Sequence, residues 1–277
     1  MDGMHTQHLP RANPAFPMGF MPLAGTRQDC EDCARGERLG FQFEYAYQPI
    51  VDLHTRTVFA HEALVRGSAG EGAFSVLSQV TEANRYRFDQ ACRVKALKGA
   101  SELGMAVPVS INFLPNAIYK PELCIRTTLE AARVHGFLVE NIIFEVTEGE
   151  RIKDGPWFAE ILREYRRLGF RTAIDDFGAG YAGMKLLADF QPDLIKIDMD
   201  IIRNVDTNRA RQIIVRNLVR LCEEMGIDVV AEGIETPAER DFLRDTGIRL
   251  MQGYLFARPA FRAMAQVDAA GFGAAPG

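Results

Sequence analysis

Apolar and polar positions along this chain form two recurring patterns. Short runs rich in β-branched and aromatic residues predict strands, and longer segments with apolar residues three or four positions apart predict helices. The predicted strands are 43–51, 57–66, 107–113, 141–146, 171–176, 193–198, 228–232 and 250–255. The predicted helices are 73–103, 122–135, 157–168, 181–190, 208–225 and 237–245.

The order of these elements predicts a closed barrel. Only residues 52–56 separate the first two strands, which is too short for a parallel crossover, so these strands should be antiparallel. Every later pair of strands has a helix between its members, which indicates a parallel sheet covered by helices. Eight strands in 277 residues favour a TIM-like (β/α)8 barrel of the α/β class with the first strand antiparallel. An open doubly wound sheet is the alternative.

Composition and charge limit the cellular compartment and the partners expected for the protein. The chain is 47% hydrophobic and 25% charged, as globular proteins are. Its net charge of −5 argues against a nucleic-acid polymer as partner. No apolar run is long enough to cross a membrane, and no secretory signal pattern is visible. A cytoplasmic protein without membrane partners is therefore expected.

The two ends of the sequence differ from its middle. Residues 1–40 are rich in Pro, Gly, Met and Arg and predict a flexible arm, residues 41–265 form the predicted barrel, and residues 266–277 predict a flexible tail. The arm contains Cys30 and Cys33 in a Cys-x-x-Cys pair, which is half of a zinc site or a redox pair. No second cysteine pair follows it, so an unstructured or docking arm is favoured.

A polar or charged residue interrupts each of seven consecutive predicted strands. The C-terminal ends of parallel barrel strands meet at one face, where catalytic groups from several strands come together. Burying each of these residues separately in the core would be costly. We therefore expect a single site at that face, formed by Glu62, Asn112, Glu145, Asp175 with Asp176, Lys196, Glu232 and Gln252.

The chemistry of this set points to divalent cations. Its candidate ligands are carboxylates and an amide, and these hard oxygens suit Mg²⁺, Mn²⁺ or Ca²⁺. The excess of carboxylates predicts two ions sharing a carboxylate, and Asp175, next to Asp176, is the best bridge. Two such ions commonly serve displacement at phosphorus. Lys196 can then orient the attacking water or stabilise transition-state charge.

Two alternatives remain open at this point. Asp175 to Gly178 alone is also compatible with a solvated turn, because Asp and Gly are common turn residues. The whole set is also compatible with enolase-like proton abstraction by a lysine base beside Mg²⁺. That chemistry needs a capping domain, and an arm of about 40 residues is too short to supply one.

The motifs of the chain resemble those of the EAL-domain cyclic di-GMP phosphodiesterases, from about Phe43 to Pro259. The matching segments are Glu62-Ala-Leu-Val-Arg66, Asn112, Glu145-Val-Thr-Glu148, Asp175-Asp-Phe-Gly-Ala-Gly-Tyr181, Lys196-Ile-Asp198, Glu232-Gly-Ile-Glu-Thr236 and Gln252-Gly-Tyr254. The resemblance implies a barrel with one antiparallel strand. It also implies hydrolysis of cyclic di-GMP to linear pGpG with two Mg²⁺ or Mn²⁺ ions.

The resemblance further implies roles for single residues. One ion would be held by Glu62, Asn112, Glu145 and Asp175, and the second by Asp175 and Asp176 with Glu232 close by. The implied catalytic residues are Lys196, which would contact the attacking water, Gln252, which would help order the site, and the ligands Glu62 and Glu232. Substrate-contacting positions are matched by Gln48, Leu64 and Arg66, and Arg66 is placed for a phosphate.

Two acids outside this set also match family positions. Glu148 corresponds to a residue that steadies the loop after the fifth strand, and Glu235 to a supporting acid. Family members dimerise and receive signals through that loop and its neighbouring helix, so a homodimer is expected. The arm is expected to receive any separate regulatory protein.

The chain departs from the family in this loop. Ala179, Ala182 and Gly183 stand where family members often carry Thr and two Ser, but no ligand is lost. The family also includes catalytically silent members that act as cyclic di-GMP receptors or protein-interaction modules. Those members typically lack several of the acids, so the complete set favours an enzyme over that alternative.

Overall fold

The computed structural model describes residues 39–118, 120–148, 155–180 and 183–273. The Cys30 and Cys33 pair, most of the predicted arm, and the family departure at Ala182 lie outside these residues. None of the helices within the described ranges combines the length and the apolar character that a membrane span requires.

The described residues alternate between strands and helices from Phe43 onward. The strands are β1 (Phe43–Asp52), β2 (Thr57–Gly67), β3 (Val109–Asn112), β4 (Ile142–Thr147), β5 (Arg171–Phe177), β6 (Leu194–Ile197), β7 (Asp228–Ala231), β8 (Leu250–Met251) and β9 (Ala260–Phe261). The α-helices are α1 (Phe74–Leu77), α2 (Arg85–Glu102), α3 (Pro121–Cys124), α4 (Arg126–His135), α5 (Gly155–Arg167), α6 (Gly183–Asp189), α7 (Met199–Ile202), α8 (Arg209–Met225) and α9 (Pro237–Asp245). Short 3-10 turns cover Pro115–Ala117, Val139–Asn141 and Ala269–Phe272.

Eight of these strands close into a barrel. Strands β2 to β8 run parallel in chain order, and β1 closes the ring by pairing antiparallel with both β2 and β8. Strand β9 adds to β1 at a single register pair, Ala46 opposite Phe261. The predicted barrel with an antiparallel first strand is therefore confirmed.

The interior of the barrel has an apolar floor. Successive side chains of a strand point to opposite faces, so every second residue of a barrel strand points inward. Seven such residues pack together and form the floor: Ile50, Ala60, Ile143, Ala173, Leu194, Val230 and Leu250. The outward-facing residues pack beneath the helices in a larger core. The next layer of inward-facing side chains, towards the C-terminal ends of the strands, rests on this floor.

Three predicted elements differ clearly in extent from the observed ones, and one of them, the helix predicted over 122–135, is divided at Ile125 into α3 and α4. The helix predicted over 73–103 is divided into α1 and α2, because the buried Asn84 side chain accepts from Thr81 N at 2.8 Å and donates to Gln79 O at 3.0 Å. These side-chain bonds close a turn that competes with helix. The last barrel strand, predicted over 250–255, ends at Met251.

The described part of the predicted tail, residues 266–273, packs against the barrel. Asp268 caps the turn Ala269–Phe272 by accepting from Ala270 N at 2.9 Å. Phe272 is buried with its ring centroid 6.2 Å from that of Phe256. Arg240 donates to Gly271 O at 2.9 Å. An aromatic contact, a cap and a hydrogen bond from Arg240 together hold this segment on the barrel.

Replacing Phe272 with alanine should lower the free energy of unfolding by about 3 kcal/mol, because the lost ring leaves a cavity beside Phe256. The matched control is Phe261→Ala, since Phe261 is 36% exposed and should cost less than about 1 kcal/mol. Urea denaturation of both variants measures the difference. Equal losses would contradict the packing of the tail.

Candidate active site

The predicted site residues lie one layer above the apolar floor. Six of them stand two residues beyond a floor residue, on the same strand or just past its end, and therefore point to the same inner face. On β1, which runs in the opposite direction, the same layer is reached two residues before Ile50, at Gln48. Six side chains reach this layer from six other strands: Glu62, Glu145, Asp175, Lys196, Glu232 and Gln252.

Lys196 lies at the centre of the layer. Its side chain is 1% exposed, and four acids surround its ammonium group. The distances from Nζ are 3.1 Å to Glu62 Oε2, 3.0 Å to Glu145 Oε2, 3.0 Å to Asp175 Oδ1 and 2.7 Å to Glu232 Oε1. One positive charge cannot neutralise four carboxylates, so the layer carries an excess of acid.

Two amides hold the acids in place. Asn112 Nδ2 lies 3.2 Å from Glu62 Oε1 and 3.5 Å from Glu145 Oε2. Gln252 Nε2 donates to Glu62 Oε2 at 2.9 Å. Glu62 therefore receives an amide hydrogen bond on each of its oxygens. Both amides come from residues at the C-terminal ends of their strands, as the sequence predicted.

Asp175 and Asp176 reach the same site because β5 bulges beside them. Ile174 is paired with Ile195 and Phe177 with Ile197, so two residues of β5 stand where β6 has one. Asp176 has φ of 52°, a left-handed conformation that few non-glycine residues adopt. In a regular strand, adjacent side chains would point to opposite faces. The bulge re-aims the second acid so that both serve one site.

The acids form two groups that share one member. Oxygens of Glu62, Glu145 and Asp175 lie within 4.8 Å of one another, and so do oxygens of Asp175, Asp176 and Glu232. We call these groups the first trio and the second trio. The buried Asp175 Oδ1 lies 3.0 Å from Lys196 Nζ but accepts no hydrogen bond in the described structure. An all-oxygen donor set with an unsatisfied acceptor at its shared residue fits divalent cations.

Burial raises the pKa values of several of these acids. It raises the pKa of Glu145 to about 8, although the Lys196 ammonium opposes the shift. It raises the pKa of Asp176 to about 6, with a further contribution from Asp175. The pKa of Glu232 is raised well above its usual range, again chiefly by burial. A cation entering the layer displaces these protons, so its binding should strengthen as pH rises from 6 towards 8.

The charge of Lys196 is maintained by its neighbours. Burial by itself would lower the pKa of this ammonium group, but Asp175, Glu145 and Glu232 raise it well above its ordinary value. Lys196 therefore remains protonated throughout the neutral range.

The residues predicted to contact substrate border the same mouth of the barrel. Gln48 lies opposite Glu62 in the β1–β2 ladder and donates to Ala257 O at 3.1 Å. Leu64 and Arg66 line a cavity of about 260 Å³ that Asn112 also borders. The Arg66 guanidinium donates to its neighbour Val65 O at 2.8 Å. None of the acids of the layer lines this cavity, nor does Lys196, and Asn112 connects the two through its contact with Glu62.

Glu148 joins the end of β4 to the loop after β5. Its Oε2 accepts from Gly178 N at 2.6 Å and from Gly180 N at 3.3 Å, and its own N donates to Asp175 O at 2.9 Å. A Cβ atom at Gly180 would lie 3.1 Å from the Glu148 carboxyl carbon, so a side chain there would crowd this contact. The carboxylate thus holds the segment that follows Asp176.

Glu235 stands apart from both trios. It forms an ion pair with Arg203, at 3.0 Å from Oε1 and 2.8 Å from Oε2, on the exposed rim. This pair connects the loop after β7 with the residue that ends α7. Among the predicted site residues it is the one whose carboxylate is committed to an arginine outside the acidic layer.

Two residues in contact with site elements were not predicted. Ser110 Oγ donates to Glu145 Oε1 at 2.5 Å from below the layer. Buried Glu239 accepts from Asn204 N at 2.9 Å and from Thr236 N at 3.1 Å, joining the loops after α7 and β7. The sequence does contain a signal for Glu239, since Thr236-x-x-Glu239 is a capping box. Its second contact, to Asn204, is not visible in a local pattern.

Comparison with known proteins identifies the family. The EAL domain model matches residues 35–259, most of the chain. The chain belongs to the EAL family. Its solved relatives include a standalone versatile EAL protein from Vibrio cholerae O395 in a c-di-GMP-bound form, with 51% identity and a TM-score of 0.83. That match covers 86% of this chain and 100% of the other.

Other relatives are longer proteins. BlrP1 of Klebsiella pneumoniae, in a manganese and cyclic diGMP complex, is 36% identical with a TM-score of 0.76, over 81% of this chain and 58% of that one. The blue light- and temperature-regulated antirepressor BluF of Escherichia coli is 34% identical over 84% of this chain. The cyclic di-GMP phosphodiesterase NbdA of Pseudomonas aeruginosa is 32% identical over 79% of it. The chain spans 58% of BluF and 29% of NbdA.

Replacing Lys196 with methionine should tighten Mn²⁺ binding at least about tenfold, because it removes a positive charge that repels the ion. The repulsion between two unit charges about 4 Å apart is roughly 4 kcal/mol at an effective dielectric constant of 20. The same oxygens that contact Nζ would then be free to bind the ion. Isothermal titration of the substrate-free protein measures the change, with Lys185→Met on the exposed face of α6 as control. Unchanged or weaker binding by the Lys196 variant would show that the ammonium does not compete with cations.

Proposed function

We propose that this protein is a phosphodiesterase that hydrolyses cyclic di-GMP to linear pGpG with two divalent ions, Mg²⁺ or Mn²⁺. The observation that carries this proposal is the pair of carboxylate trios that share Asp175 around Lys196. Family membership and the similarity to NbdA support the substrate. The similarity to BlrP1, whose solved complex contains manganese and cyclic diGMP, supports the class of cofactor.

The two trios would each hold one ion. Asn112 would complete the first trio as a neutral ligand, and Asp175 would serve both. In the present structure the Asn112 amide nitrogen faces Glu62 and Glu145, so the amide must turn over to offer its oxygen. The bound ions would activate a water molecule and neutralise charge on the phosphate oxygens.

The remaining side chains would bind and orient the reactants. Lys196, which keeps its charge, would donate hydrogen bonds to the attacking water. Gln252 would fix Glu62 through the hydrogen bond described above. Arg66 would bind a phosphate at the edge of the cavity, with Leu64 and Gln48 against the rest of the nucleotide.

The bond changes are those of phosphodiester hydrolysis. Water adds to one phosphorus of the cyclic dinucleotide, and the bond from that phosphorus to the ribose 3′ oxygen breaks. The proton lost by the water is balanced by the proton gained by the departing 3′ oxygen. The product therefore carries a 5′ phosphate and a free 3′ hydroxyl, as in pGpG.

We also propose the assembly and setting that the family resemblance implies. The protein would act in the cytoplasm as a homodimer formed through the loop after β5 and helix α6. Glu148 supports this proposal because it joins that loop directly to the strand that carries Glu145. Glu235 would support the rim through Arg203. Residues 1–40 would form an arm for a regulatory protein.

A catalytically silent cyclic di-GMP receptor is the second candidate function. It is favoured by the similarity to BluF, which is named as an antirepressor. A receptor binds its ligand without needing the second trio, so the presence of Asp176 and Glu232 beside Asp175 favours the enzyme.

Asp175→Asn should lower hydrolysis of cyclic di-GMP on the order of a thousandfold, because it removes the charge that both trios share. Product formation by the full chain in Mg²⁺ or Mn²⁺ is followed by chromatography, with an EDTA sample alongside. Asp245→Asn, at the exposed end of α9, is the matched control and should retain full activity. Cyclic di-GMP binding without product in either metal would refute the enzyme and favour the receptor.

A further inference from the structure

Ser110 is the residue that β3 contributes at the level of the apolar floor of the barrel. It lies directly opposite the floor residue Ile143 in the β3–β4 ladder, and it is fully buried. The other seven barrel strands contribute Ile, Ala, Leu or Val at this level. A hydroxyl group buried among alkyl side chains costs free energy unless it has a partner. The choice of serine here therefore calls for a specific hydrogen bond.

That hydrogen bond goes to a site acid. Ser110 Oγ donates to Glu145 Oε1 at 2.5 Å, while Glu145 Oε2 lies 3.0 Å from Lys196 Nζ. The two oxygens of one carboxylate thus have separate partners, one in the floor and one in the acidic layer. The terminal torsion of a glutamate has a broad, roughly two-fold preference, so an unrestrained carboxylate rotates readily. Ser110 removes this freedom.

We propose that Ser110 is a positioning residue for cation binding, which occupies Glu145 Oε1 so that only Oε2 is presented to an ion in the first trio. Packing alone does not require the hydroxyl, because alanine fills the corresponding places in β2 and β5, at Ala60 and Ala173. The inference about cation binding stands on these contacts. Its consequence for turnover rests on the proposed phosphodiesterase function.

Ser110→Ala should weaken Mn²⁺ binding about tenfold, the low end of the effect found when a partner of a metal ligand is removed. Mn²⁺ alone is the probe, and its affinity is measured by electron paramagnetic resonance of the free ion, on the full chain without substrate. Ser110→Thr and Ser110→Cys both retain a donor at this position, and at least one should recover most of the affinity. Ser101→Ala loses a comparable hydrogen bond, to His135 O at 2.9 Å far from the site, and should bind Mn²⁺ normally.

The dependence of activity on Mn²⁺ concentration distinguishes a positioning role of Ser110 from a merely structural one. If hydrolysis is observed, Ser110→Ala should raise the Mn²⁺ concentration needed for half activation by the same factor, with kcat at saturating Mn²⁺ close to that of the parent. A merely structural role would lower the unfolding temperature in EDTA and leave Mn²⁺ affinity unchanged. That outcome would overturn the inference, as would equal loss of affinity in the alanine, threonine and cysteine variants.

The two proposals fail separately. A parent protein that makes no pGpG, but whose Mn²⁺ affinity depends on the Ser110 hydroxyl, would support the inference and refute the enzyme. A parent protein that hydrolyses cyclic di-GMP, with Ser110→Ala binding Mn²⁺ as tightly as the parent, would support the enzyme and overturn the inference.

Discussion

The burial of one ammonium group among four carboxylates is the interaction on which the site depends. Removing either kind of charge would leave the other unpaired in a layer that lies on apolar side chains, which is strongly unfavourable. Lys196 satisfies part of the negative charge, and the raised pKa values of Glu145 and Asp176 mean that these two acids take up protons more readily than exposed carboxylates do. The layer is therefore built to accept additional positive charge, and the barrel serves to bring acids from separate strands within reach of it.

The sequence alone was sufficient to predict the barrel and the convergence of the site residues at one of its faces. Strand spacing determined which strand ran against the others, and a polar or charged residue in each of seven consecutive strands indicated which side chains would meet at one face. It could not show how Asp175 and Asp176 serve one site, since regular alternation sends neighbouring side chains to opposite faces. That depends on a bulge in the pairing of β5 with β6 and on a positive φ at Asp176, and regular strand alternation predicts neither of them.

Several of the contacts that local patterns missed join residues distant in the chain. Ser110 meets Glu145 across neighbouring strands, and Glu235 is drawn to Arg203 rather than to the acidic layer. The final segment is rich in Ala and Gly, and in the described residues the ring of Phe272 and a hydrogen bond from Arg240 attach it to the barrel. In each of these cases, a hydrogen bond, an ion pair or an aromatic contact with a residue distant in the chain outweighs the structure that the neighbouring residues alone would predict.

Diffraction at the manganese absorption edge from crystals grown with Mn²⁺ would test the shared role of Asp175 most directly. Two anomalous peaks are expected, one in each trio, both bound by Asp175, with Lys196 Nζ moved away from at least one of the four carboxylate oxygens it now contacts. A single peak, or two peaks that leave Asp175 without a bond to one of them, would contradict the shared role of Asp175.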